Sequence, residues 1–208
     1  MSRSKLELCP GLRLIDDFKT VRHHSAPQDR LRAVKRAAAG FRERMLDAAP
    51  VQHYSNHALV RVPYPTKYAL LNACSVPTPF MHIVNKMFVV QYETSDGMKT
   101  LLVSASDVNA NKETPFFKRL GGGYGLLSGP VEKFLAPTEG TVESALAKLG
   151  IAPADVDYLT YDHLHTQDLR GWLGGGSRSA VFPNAKFLVM RQEWESTLAL
   201  LPPQRDWY

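Results

Sequence analysis

Only two cysteines, Cys9 and Cys74, occur in the 208 residues, far apart and without the close spacing of a metal knuckle. A disulfide framework is therefore not expected, a reducing compartment fits, and each thiol is read as a small buried hydrophobe. No run of about 18 apolar residues is long enough to span a bilayer, and the opening MSRSKLELCPG lacks the apolar core of a secretory signal. The expectation is a cytoplasmic protein that does not enter the membrane. No segment repeats at a fixed period, which excludes solenoid and collagen-like architectures.

Acidic residues are in deficit, 20 against 25 Lys and Arg, for a net charge of +5. The excess is local: Arg30, Arg32, Lys35, Arg36, Arg42 and Arg44 face a single acid, Glu43. Such a run is a solvated helix face. Aromatic interleaving and known nucleic-acid motifs are absent, so no nucleic-acid partner is expected. What is present is a hydrophobic share of 44%, enough for a core.

The segment Ser25 to Ala49 reads as a helix. Ser25 is placed to cap it with Gln28 as the return partner, Pro27 sits in its first turn and Pro50 stops it. Leu31, Val34, Ala38, Phe41 and Met45 form an apolar stripe at steps of three and four. From about His57 to Val108 the texture changes to strands, ALVRV, YALLNA, MHIVNKMFVVQYET and MKTLLVSAS. Ser95-Asp96-Gly97 signals a hairpin between the last two, and the prolines at 63/65 and 77/79 punctuate a mainly antiparallel sheet.

Residues 109–140 look irregular around the glycines of Lys118 to Gly125. Neither GxxxxGK[ST] nor GxGxxG spacing occurs there, so a loop beside a cleft is expected rather than a phosphate cradle, and Gly174 to Gly176 are read the same way. Thr141 then caps a short helix through Leu149, closed by Gly150. The strands VDYLTY and AKFLVM follow.

Chemistry concentrates in Asp162-His163-Leu164-His165-Thr166-Gln167-Asp168-Leu169-Arg170-Gly171. Two histidines one residue apart, where an apolar strand runs into a loop, can aim both imidazoles at one point if the loop turns there. Neutral imidazole and carboxylate oxygen are the donors a divalent zinc ion takes. By itself an HxH pair also arises by chance on many surfaces.

The surrounding run ALAKLGIAPADVDYLTYDHLHTQDLRGWL resembles the metallo-β-lactamase superfamily, whose pattern is helix, LG, I-x-P-x-D-V/I-D, apolar strand, then HxHxDH. VFPNAKFLVMRQEWE resembles the stretch after that motif in the lactonase-like branch. The resemblance implies an α+β fold: the first half of an αββα sandwich over residues 51–208, preceded by a helical extension over 1–50. It implies a metal-dependent hydrolase of an ester, lactone or similar bond that uses a metal-activated water, with a small-molecule substrate. His163 and His165 match two ligands of the first metal site. Gln167 and Asp168 stand where the pattern has Asp and His, and Asp168 is the remaining candidate donor. Asp107 falls near a strand-end Asp of the family and is a candidate supporting partner. The other histidines, 23, 24, 53, 57 and 82, match no family ligand and are read as surface or core residues.

The family's later ligands come from a second half that this sequence does not contain. At most one weakly held ion, zinc or else iron or manganese, is therefore expected. Half a sandwich also leaves a sheet edge open, so a homo-oligomer through that edge is expected. A non-catalytic remnant serving as a protein-interaction module is the alternative reading.

Overall fold

A computed structural model describes residues 15–71, 73, 77–118 and 137–207. Cys9, Cys74 and most of the glycine-rich stretch after Lys118 lie outside them. The chain divides into two compact units, Met1–Val51 and Gln52–Tyr208.

In the first unit a 3₁₀ turn, Thr20–His23, leads into α1, Pro27–Asp47. Ser25 does not cap this helix. Ala26 holds the cap position, with no side-chain hydrogen bond to the first turn, and Pro27 takes the first helical position. Proline needs no acceptor and arrives with its φ already helical, so it starts the helix without a cap. The buried line is also shifted from the expected stripe. Leu31 and Met45 are each 56% exposed, whereas Ala33 is buried and Phe41 meets Phe18 edge to face at 5.7 Å. Ala33, Ala37 and Phe41 follow one another at steps of four, and small alanines let the preceding turn, with Val21, approach closely.

The second unit is built on a five-stranded mixed sheet in chain order: β1 (His53–Pro65), β2 (Phe80–Thr94), β3 (Gly97–Val103), β4 (Tyr158–Thr160) and β5 (Lys186–Leu188). The first three strands form the expected antiparallel meander, and β3, β4 and β5 run parallel. The β2–β3 hairpin closes through Ser95 and Asp96, with Thr94 opposite Gly97 at φ 96°. Two expectations about this region are corrected. YALLNA is not a strand: Thr66–Leu70 forms a short helix, α2, ended by Leu71 in the left-handed region. Lys67, Tyr68, Ala69 and Leu70 carry no period-two alternation and are adequate helix formers. Pro63 and Pro65 do not interrupt β1 but lie inside it, which an edge strand tolerates because no neighbour needs their missing N–H.

That edge is partly covered. A bulge between Ala58 and Val60 pushes Leu59 into the core, and the Leu59 carbonyl accepts from Glu139 N at 2.8 Å and Gly140 N at 3.3 Å. Arg61 N donates to the Pro137 carbonyl at 3.2 Å, so residues 137–140 dress the middle of the strand.

One face of the sheet carries Leu59, Met87, Val89, Leu102 and Leu159 into a cluster with Val142, Ala145 and Leu146 of α4 (Val142–Lys148). As expected, Thr141 caps α4, in a reciprocal box with Ser144. Gly150, at φ 68°, ends the helix with two return bonds: its N–H donates to Ala147 O and that of Ile151 to Leu146 O. Asp157 then sets the register of the parallel pair, accepting from Thr100 N at 2.8 Å and Lys99 Nζ at 3.0 Å.

Candidate metal centre

The loop after β4 carries the candidate donors, and β3 and its own sequel hold it in place. Past β3 the carbonyl of Ala105, a fully buried residue, accepts from Tyr161 Oη and Trp172 Nε1, both at 2.6 Å. Burial holds the Tyr161 phenol far above its usual range, so this donor stays protonated. Trp172 lies on α5 (Arg170–Leu173) and packs on Phe182 with ring centroids 5.2 Å apart. The loop is thus fastened at both ends, residue 161 and residue 172.

Between those points the chain turns at Thr166, a buried residue at φ 70°. A β-branched residue in the left-handed region is strained, and such strain gathers at sites where a side chain must be aimed. The turn directly follows the two histidines. The rings of His163 and His165 sit 4.4 Å apart, tilted by 33°. His163 Nδ1 is 2.8 Å from Asp162 Oδ2, which leaves its Nε2 as the donor atom for a ligand. Phe116 presents an edge to His165 at 6.1 Å. Burial, then the neighbouring His163, push His165 below the ordinary imidazole range, against the opposing pull of Asp162 and Glu193. A neutral ring is the form that ligates.

Asp168 is not brought to this pair. Its side chain is 3% exposed, and both oxygens are engaged by Arg170, Oδ1 by Nε at 2.9 Å and Oδ2 by Nη2 at 2.5 Å. Arg170 N also donates to Oδ1, at 3.0 Å. Gln167 faces Asn111 instead: Asn111 Nδ2 donates to Gln167 Oε1 at 3.1 Å, and Asn111 Oδ1 accepts from Asp168 N at 2.8 Å. Asp107 caps α3 (Val108–Asn111), accepting from Asn109 N and Ala110 N. Among the described residues no group of three or more His, Cys, Asp or Glu side chains converges to hold a metal ion. Two neighbouring imidazoles are donors of the kind a divalent cation takes; the carboxylate at 168, committed to Arg170, does not join them.

No protein-family profile matches the sequence, and no curated protein matches it. Several solved structures are similar to it. One is a probable metal-dependent hydrolase from Staphylococcus aureus, with a TM-score of 0.45 and 16% identity, covering 74% of this chain and 52% of that one. Another is a quorum-quenching N-acyl homoserine lactone lactonase, at 0.43 and 18%, covering 73% and 51%. A third is a hydrolase of the beta lactamase superfamily, at 0.40 and 16%, covering 76% and 50%. The chain spans about half the length of these structures.

Two residues of the site carry no sequence signal of the usual kind. Glu193 of α6 (Arg191–Leu198) accepts from Leu164 N at 2.9 Å and so anchors the residue between the histidines. Asn111 bridges Gln167 and Asp168 from more than fifty positions away. Arg170 was within reach, because an acid two residues before an arginine at a helix start is a recognisable local pair.

Arg170 holds the Asp168 carboxyl below the usual carboxylate range, chiefly through their side-chain hydrogen bonds. An ionised Asp168 therefore stabilises the fold above the unfolded value near 4, and that contribution is lost as the pH falls through the depressed folded value. Asp168→Asn should be less stable than the parent at pH 7, and its stability should change less between pH 5 and pH 2. Urea titrations at those pH values check this; parallel acid limbs in parent and variant would refute it.

Proposed function

We propose that this chain carries the first part of a metal-dependent hydrolase of the metallo-β-lactamase fold, acting on an ester, lactone or similar bond of a small molecule. The observation that supports the reading most is the meeting of the His163 and His165 rings at the strained turn after β4, with Asp162 fixing one of them. His163 and His165 would hold zinc, or else iron or manganese, and an ion held there would supply polarisation of a carbonyl oxygen and a bound water whose pKa is lowered to about 7.

The chain's own residues supply binding and orientation. Asp162 selects the nitrogen that His163 offers, Glu193 fixes the backbone between the ligands, and Phe116 covers one side of His165. In this reading Asp168 serves the loop, through Arg170, and reaches a cation only by exchanging that partner. One specific observation favours the alternative of a non-catalytic interaction module: no third donor converges on the pair among the described residues. A homo-oligomer through the open parts of the β1 edge belongs to that alternative, and a location in the cytoplasm belongs to both.

The deciding measurement is turnover of generic lactones and aryl esters by the purified chain, with added zinc or manganese and with chelator. Metal-dependent turnover that is lost in His163→Ala/His165→Ala supports the hydrolase. Turnover at the uncatalysed rate under every metal condition overturns it for this chain and leaves the interaction module.

A further inference from the structure

A second set of reactive side chains lies on β1, away from the candidate metal centre. Ser55 Oγ is 3.0 Å from His53 Nε2 and 3.0 Å from His57 Nε2. Residues two apart on a strand share a face, and these three pair opposite Gln91, Val89 and Met87, on the side of the sheet that α4 covers. A hydroxyl has one proton to give and two lone pairs. At most one imidazole can therefore accept from Ser55, and the other must then donate to it. Burial, then the charges of Lys148 and His53, keep His57 below the usual imidazole range, so at neutral pH it is the free base that can accept.

Beside His57 a cavity of about 230 Å³ opens between β1 and α4, lined also by Gly140, Ser144 and Lys148. Glu139, the one acid on its wall, is paired with Arg61 at 2.8 Å. The wall thus offers an imidazole and an ammonium group, its hydroxyls at 141 and 144 being engaged in the cap of α4, and of the trio it is His57 that lines it. Its volume falls below the roughly 300 Å³ at which pockets for drug-sized ligands begin, so it suits an acyl group of a few carbons.

We propose that Ser55 is a nucleophile that accepts a short acyl group from an activated ester or thioester, with His57 as its general base. Ser55 Oγ bonds to the acyl carbon as its proton passes to His57 Nε2; the bond from that carbon to the leaving oxygen or sulfur breaks, and His57 returns the proton to the leaving group. Lys148 brings positive charge to the cavity where the carbonyl oxygen gains negative charge. His53 is a positioning residue, whose N–H holds the Ser55 hydroxyl toward its neighbour. No metal enters the step, so it is independent of the pair at His163 and His165.

The test is acetylation by 4-nitrophenyl acetate in the presence of chelator, followed by peptide mass mapping. Wild type should gain one acetyl on Ser55, and His57→Gln, whose amide cannot take the proton, should slow that labelling at least about 100-fold. The wild-type rate should rise with pH through a midpoint below that of an ordinary imidazole. Ser55→Ala should gain no acetyl on that peptide. Should it fail to fold, the near-isosteric Ser55→Cys serves instead: the thiol it introduces should react with iodoacetamide faster in the folded chain than in the same variant unfolded in urea. Acetyl groups on lysines alone, in wild type shown to be folded by circular dichroism, overturn the proposal. So does an unchanged rate in His57→Gln.

Discussion

Replacing both imidazoles, His163→Ala together with His165→Ala, should reduce bound zinc to background after equilibration and dialysis, while the parent retains up to one ion per chain by elemental analysis. The two rings lie 4.4 Å apart in the loop after β4, and no group of three or more His, Cys, Asp or Glu side chains among the described residues gathers to hold an ion. Affinity in the parent will accordingly be modest, and losing both donors should remove it. A graded control separates ligand loss from collapse of the loop. Asp162→Ala leaves both rings but frees His163 Nδ1 from its partner, and should weaken zinc by about 10- to 100-fold, as removal of an outer partner does at known sites. Equal zinc content in the parent and the double variant would sink the metal-centre reading.

The second large effect is on stability. Trp172→Ala should destabilise the chain by about 3–5 kcal/mol, the range for removing a large aromatic from a core. Trp172 is buried against Phe182 and also donates to the carbonyl of Ala105. At about 2–4 °C per kcal/mol for a chain of this size, the thermal midpoint should fall by about 10 °C. Trp172→Phe keeps most of the apolar bulk and loses the donor, so it should show a clearly smaller drop. A change below about 0.5 kcal/mol in the alanine variant would place the indole outside the core. Because Trp172 and Tyr161 share one acceptor, the alanine variant should also loosen the loop between them and weaken zinc binding at the histidines.

How far the sequence disclosed this arrangement depended on whether the signal was local. Thr141 and Gly150 bracket α4 as expected, because capping and left-handed termination are settled within a few residues. The hairpin at Ser95 and Asp96 and the position of the histidines after a short buried strand were legible for the same reason. The buried line of α1 was not: an apolar pattern shows that a face exists, whereas the small turn that packs on it decides that Ala33 and Phe41, rather than Leu31 and Met45, are covered. Pro63 and Pro65 read as breaks because sequence cannot tell an edge strand from a central one. Asp168 had the composition of a ligand, and only the position of Arg170 shows what it holds. His53 and His57 match no family ligand and gain significance through Ser55 between them, a relation visible only once the strand is known.

The extra residue at Leu59 makes β1 a strand with two phases. Up to position 57 its odd-numbered side chains look toward α4; from position 60 onward its even-numbered ones do, because Val60 pairs with Asn85 while Ala58 pairs with Lys86. The histidines and serine of one half and Val60 and Val62 of the other therefore share a side that plain alternation would have divided between them. A chain shortened by one residue at that point would keep every pairing and both faces as an unbroken ladder, and would lose only what Leu59 itself supplies, its side chain in the core and its carbonyl for Glu139 N and Gly140 N. The bulge thus lends one residue to the interior and to the 137–140 segment while the two halves of the strand stay in step on either side of it.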